Sequence, residues 1–165
     1  MHSPATDLVP TPRRILWRNS VLVLDDDAAS RRAISQFAAT VGWAPVAVPT
    51  FADAEAMIET HNFDCIVSET TVGGRDVGEF FAALAALGCV IPVLIVGGAG
   101  RNVIDAAADL GYGLGLHVCY PIEKPLAIST LCDRLLRINK RVLDGHESCC
   151  HRDCHWRRSD RAPAA

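Results

Sequence analysis

Three unbroken apolar runs constrain this chain more than anything else in it: Val21-Leu22-Val23-Leu24, Cys65-Ile66-Val67 and Val93-Leu94-Ile95-Val96. A strand with one solvated face alternates polar and apolar residues, whereas a strand covered on both faces reads as a continuous run. Between these runs the apolar residues recur at helical spacing, as in Ile34, Phe37, Ala38 and Val41. Alternating strands and helices require right-handed crossovers and a parallel sheet with helices on both sides.

The pattern predicts strands near 21–25, 45–48, 64–68, 92–96 and 117–120, and helices near 28–41, 51–60, 76–87, 102–110 and 125–141. Asp27 and Thr50 suit helix N-caps, because their side-chain oxygens can accept from orphan backbone N–H groups. Gly42 suits a helix stop, and Pro125 the first turn of the last helix. The expected fold class is therefore α/β, a single doubly wound five-stranded parallel sheet with five helices.

A chain of 165 residues has room for one domain with a core, plus tails. The expected division is a flexible leader over 1–18, a domain over 19–141 and a disordered Cys/His/Arg-rich tail over 142–165. No apolar run approaches the ~20 residues that span a bilayer, and the first twenty residues hold no continuous apolar segment of the signal-peptide kind. The expectation is a cytoplasmic protein without membrane association. The net charge of −3 hides a partition: residues 21–136 carry six basic against fourteen acidic residues, a net of −8. An acidic body argues against nucleic acid as a partner.

Four of the seven cysteines, Cys65, Cys89, Cys119 and Cys132, lie in apolar segments and read as small buried hydrophobes. The others, Cys149, Cys150 and Cys154, cluster with His146, His151 and His155. Short Cys/His tracts can bind zinc. Here no Cys-x2-Cys pair supports it, so incidental thiols in a solvated tail are the plainer reading of Cys149, Cys150, Cys154 and His155.

In a doubly wound sheet, ligands gather beyond the carboxyl ends of the strands. Asp25, Asp26, Glu69, Gly97 and Lys124 all fall there in this register. Adjacent Asp25 and Asp26 suit a hard divalent cation such as Mg2+, with Glu69 as a third carboxylate and the Thr71 backbone carbonyl as a fourth oxygen. Lys124, followed by Pro125, would neutralise that site or hold an anion. The plain structural reading is helix capping by acidic residues that follow strands, and it accounts well for Asp27 alone. Gly97-Gly98-Ala99-Gly100 lacks the Gly-Lys-Ser/Thr of a Walker loop, the first strand lacks Gly-x-Gly-x-x-Gly, and no Gly-x-Ser-x-Gly elbow occurs.

Val21-Leu22-Val23-Leu24-Asp25-Asp26-Asp27 followed by Arg32, Phe63 to Glu69 followed by Gly73-Gly74-Arg75-Asp76, Pro92 to Val96, and Glu123-Lys124-Pro125-Leu126 together resemble the receiver domain of bacterial two-component response regulators. The resemblance spans about Val21 to Ile138. It implies a flavodoxin-like sheet of order 2-1-3-4-5 and a role in phosphorelay signal transduction. It also implies a protein partner (a histidine kinase, another receiver or a downstream effector) met through helix 4, strand 5 and helix 5, with a homodimer as a further option.

The resemblance is broken at the positions that matter for its chemistry. Glu69 stands where the family has its phosphoacceptor aspartate, Gly97 where it has a threonine or serine, Pro121 where it has the aromatic switch residue, and Gly73 where its loop has a proline. An extra methylene moves a carboxylate by about 1.5 Å, and a misplacement of about 1 Å can cost ~10²-fold in rate. The expectation is a non-enzymatic pseudo-receiver, acting as a phosphorylation-independent or constitutively set interaction module. Two alternatives stand beside it: a metal-dependent receiver that still accepts a phosphoryl group or runs some other chemistry at Asp25, Asp26 and Glu69, and a zinc-binding tail carried on a receiver scaffold.

Overall fold

The computed structural model describes residues 19–143. The expected leader and the tail ligands Cys149, Cys150, Cys154 and His155 lie outside the described residues. The element order is β1 (Ser20–Leu24), α1 (Ala28–Thr40), β2 (Ala44–Val48), α2 (Phe51–Thr60), β3 (Cys65–Ser68), β4 (Thr71–Val72), β5 (Arg75–Asp76), α3 (Val77–Ala86), β6 (Val93–Gly97), α4 (Arg101–Gly113), β7 (Ile122–Glu123) and α5 (Ile128–Leu143).

The main sheet has five parallel strands in the order β2-β1-β3-β6-β7. Counting only its five strands, this is the expected 2-1-3-4-5. The three apolar runs are its central strands, and each separates two cores. Leu22, Leu24, Ile66 and Ile95 face a cluster with Phe51, Phe80, Phe81 and Leu84 from α2 and α3. Val21, Val23, Cys65, Val67, Leu94 and Val96 face Ile34, Trp43, Leu131, Leu135 and Ile138 on the α1 and α5 side. Burial on both faces is why these runs do not alternate. Asp27 caps α1 by accepting from the Ala29 N–H at 3.0 Å, and Thr50 caps α2 through the Asp53 N–H at 3.1 Å.

Four details depart from the sequence reading. The fifth strand does not run over 117–120. That segment makes one bridge, Val93 with Val118, and the ladder to β6 resumes only at Ile122–Glu123. Pro121 sits between the two contacts and has no N–H to donate. The fourth helix continues to Gly113 because Gly111 is a packing glycine. A Cβ there would stand 2.7 Å from Val118 Cγ2 and 3.0 Å from Phe81 Cε2. The last helix starts at Ile128, so Pro125 precedes it rather than opening it. Finally, the loop after Glu69 holds a two-stranded hairpin, β4–β5, turned by Gly73 and Gly74 with φ of +60° and +76°. Two successive positive φ values are what a tight two-residue hairpin turn demands.

Cys65, Cys89 and Cys132 are free thiols. Burial pushes the Cys65 thiol far above its usual range, and the nearby Asp64 charge adds to the shift. Cys119 is buried in the core, as its apolar setting suggests.

Candidate functional site

β1 and β3 lie side by side, with Leu24 opposite Ser68, so the residues following them emerge together at one end of the sheet. Asp25 and Glu69 are those residues. The segment after β7 is tied to β6 by a backbone bond from the Lys124 N–H to the Gly97 carbonyl, 2.8 Å, and brings Lys124 across the same end. Three of the expected site residues therefore converge. The Lys124 ammonium lies 2.9 Å from Asp25 Oδ2 and 2.7 Å from Glu69 Oε2.

Every oxygen of the inner two carboxylates is engaged. Asp25 is 1% exposed. Its Oδ1 accepts from the Asp27 N–H at 2.9 Å, and its Oδ2 accepts from the Ser30 hydroxyl at 2.6 Å and from Lys124. Glu69 Oε1 accepts from both the N–H and the hydroxyl of Thr70, at 2.8 and 2.9 Å, while Oε2 faces Lys124. Burial alone would lower the Lys124 pKa, but hydrogen bonds to Glu69 and then Asp25, with their charges, outweigh it and hold the ammonium above its ordinary range.

Asp26 stands apart from that triad. It is exposed, and its Oδ2 accepts from the Gly73 N–H at 2.8 Å, which ties the hairpin to the end of β1. A proline at position 73 could not make this bond. Thr71 opens the hairpin, paired with Asp76.

Gly97 ends β6 under the triad and is fully enclosed. A Cβ added to it would meet Ile104 Cγ2 at 2.5 Å, Glu69 Oε1 at 3.0 Å and Thr70 Cγ2 at 3.1 Å. The space that a hydroxyl-bearing side chain would need is filled by α4, by the long arm of Glu69 and by its threonine neighbour. Pro125 follows Lys124 and is itself exposed.

Sequence reasoning missed Ser30, Thr70, Arg31 and Ile104. The Arg31 guanidinium donates to the Asp25 backbone carbonyl at 2.7 Å, whereas Arg32, the residue expected from the resemblance, is exposed. Ser30 and Thr70 carried a usable signal, since a buried carboxylate needs donors and short polar residues near it in sequence are the first candidates. Ile104 carried none, because its contact depends on how α4 docks. Tyr120 is partly buried with the Arg101 guanidinium 4.9 Å and the Arg134 guanidinium 5.3 Å from its ring centroid. Pro121, at the expected aromatic position, is buried.

The donor set does not fit a divalent cation as it stands. Among the described residues no three His, Cys, Asp or Glu side chains converge closely enough to share one. Among the same residues no helix is long and apolar enough to cross a membrane.

The sequence matches no family model, and none of the curated proteins compared with it matches. Solved structures do match in fold. The chain superposes on the Francisella response regulator 1452 receiver domain with a TM-score of 0.65 at 23% identity, covering 75% of this chain and 98% of that one. For the chemotaxis response regulator CheY4 of Vibrio cholerae the TM-score is 0.63 at 21% identity, over 73% and 98%. For the beryllofluoride-activated NtrC4 receiver domain, solved as a dimer, it is 0.63 at 20% identity, over 74% and 97%. The fold of residues 19–143 is the receiver fold.

Proposed function

We propose that this protein works in two-component signalling as a receiver-fold interaction module whose state is set without phosphoryl transfer. The observation that carries the reading is the closure of the strand-end pocket around Glu69. A carboxylate nucleophile needs a free oxygen in line with the incoming group and a site that neutralises the group being transferred. Both Glu69 oxygens are held, one by Thr70 and one by Lys124. Gly97 offers no hydroxyl to receive a phosphoryl oxygen and has no room for one. The pocket then serves as a fixed joint among β1, β3 and the β6–β7 end, with its carboxylate already drawn onto the lysine.

The partner in this reading is a protein of the same signalling class, met through α4, β7 and α5. Arg101 of α4, Tyr120 of the link before β7 and Arg134 of α5 form a stack joining these elements. That stack supports a face of fixed shape, not one rearranged by a switching aromatic residue.

The test is incubation with a small phosphodonor and Mg2+, followed by intact-mass measurement. The expected result is no adduct, with equal partner binding before and after treatment. An adduct that disappears in Glu69→Ala would overturn the proposal. Comparing partner binding by wild type and Glu69→Gln then separates a pure scaffold, with equal binding, from a state held by the Glu69 charge, with weaker binding in the variant.

A further inference from the structure

We infer that Lys124 is the built-in cation of this pocket, and that the pocket excludes divalent metal ions. This goes beyond the absence of phosphoryl transfer, because a carboxylate cluster can bind a metal whether or not it accepts a phosphoryl group. The inference rests on oxygen-by-oxygen occupancy. Magnesium demands near-octahedral oxygen ligation at short distance and usually engages one or two carboxylates. Asp25 Oδ2 already accepts from Ser30 and Lys124, and Oδ1 from the Asp27 N–H. Glu69 Oε2 belongs to Lys124, and Oε1 takes two bonds from Thr70. An ion entering between Asp25 and Glu69 would have to displace an ammonium that already lies within 3 Å of both.

Asp26 cannot supply the site by itself. One of its oxygens holds the Gly73 N–H, and its side chain lies on the solvent side of the triad. Asp25 and Glu69 share one lysine, so half of the charge that would draw a divalent ion is already neutralised from within. Removing the ammonium would free Glu69 Oε2, leave Asp25 Oδ2 bonded to Ser30 alone and raise the pocket's negative charge, all of which strengthen binding of a hard cation.

The experiment is titration of the full chain with Mn2+, following free ion by electron paramagnetic resonance, with Asp25→Asn/Asp26→Asn as the reference for ions bound elsewhere. Wild type and reference should bind identically below about 1 mM. Lys124→Gln should gain one site roughly tenfold tighter or better, given the added charge, and Lys124→Arg should gain none. A saturable wild-type site below that concentration, lost in the reference variant, would overturn the inference. So would a folded Lys124→Gln protein that gains nothing. Should Lys124→Gln not fold, the wild-type comparison decides alone. A metal site without a phosphoryl adduct would overturn this inference and leave the proposed function standing, while an adduct would do the reverse.

Discussion

Glu69 Oε1 lies 3.0 Å from the place where a Cβ on Gly97 would stand. The long carboxylate and the missing side chain are therefore one arrangement: a side chain at 97 would crowd the Glu69 arm, and a shorter carboxylate at 69 would leave the space beside Gly97 less filled. Gly97→Thr should destabilise the domain by about 1–3 kcal/mol through overpacking. In Glu69→Asp/Gly97→Thr part of that loss should return, with a coupling of at least ~0.5 kcal/mol. Urea unfolding of the four proteins of this cycle measures it, and strict additivity would show that the two positions do not share space.

Lys124→Met leaves Asp25 buried and charged with its strongest partner gone. Breaking a buried pair from one side typically costs about 3–5 kcal/mol, and the partial exposure of Lys124 places the expected loss near ~3 kcal/mol. Equilibrium unfolding at neutral pH checks the figure. The companion variant Glu69→Gln should lose less, because Lys124 keeps Asp25 and the single amide oxygen can still accept from either Thr70 or Lys124, though not from both.

The raised pKa of Lys124 fixes the direction of a pH effect. The unfolded chain releases this proton near lysine's ordinary value of about 10.4, while the folded chain keeps it to higher pH. The stabilising contribution is therefore fully present below that value and disappears as pH climbs through the raised one. The stability difference between wild type and Lys124→Met should stay flat from neutral pH to the ordinary lysine value and narrow above it. A difference that narrows on the acid side, well above carboxylate protonation, would contradict this assignment.

The Gly73 N–H donates to Asp26, and Gly73 has φ +60°. Asp26→Ala should therefore speed hydrogen exchange at the Gly73 amide by roughly fivefold, equivalent to ~1 kcal/mol for one exposed bond. Gly73→Pro should be far worse, since proline is fixed near φ −65° and has no N–H. Exchange rates read by NMR at that single amide distinguish the two effects.

The guanidiniums of Arg101 and Arg134 both lie over the Tyr120 ring, 4.9 and 5.3 Å from its centroid. Each such contact is worth about 0.5–1 kcal/mol at a partly exposed site. Tyr120→Leu should cost ~1–2 kcal/mol and loosen α4 relative to α5, whereas Tyr120→Phe should be close to neutral. Thermal unfolding of the pair checks both.

The sheet was legible because its central strands are buried on both faces, and continuous runs such as Val93 to Val96 have no other comfortable home. Asp25, Glu69 and Lys124 were legible as neighbours, since strand order alone brings those positions to one end. What each oxygen does there was not. The pairing of Thr70 with Glu69 depends on a local backbone turn, and that of Ser30 with Asp25 on the first turn of α1. The edge of the sheet misled for a simple reason: the apolar residues from His117 to Tyr120 look like a strand, and Pro121 breaks the ladder that they begin. Gly111 misled in the opposite sense, as a glycine kept for close helix packing that reads as a helix stop. Gly73-Gly74 between short flanks was a usable hairpin signal.

The Ile104 methyl group that covers Gly97 also makes the order of any redesign matter. Installing a threonine at 97 first meets two obstacles at once, and shortening Glu69 first empties space that nothing fills. Trimming Ile104 must come before either, yet by itself that change only opens a hole beneath α4. Each of these three single steps is expected to lower stability, so positions 69, 97 and 104 would have to change together. Epistasis among the three, not any one residue, would hold the arrangement in place.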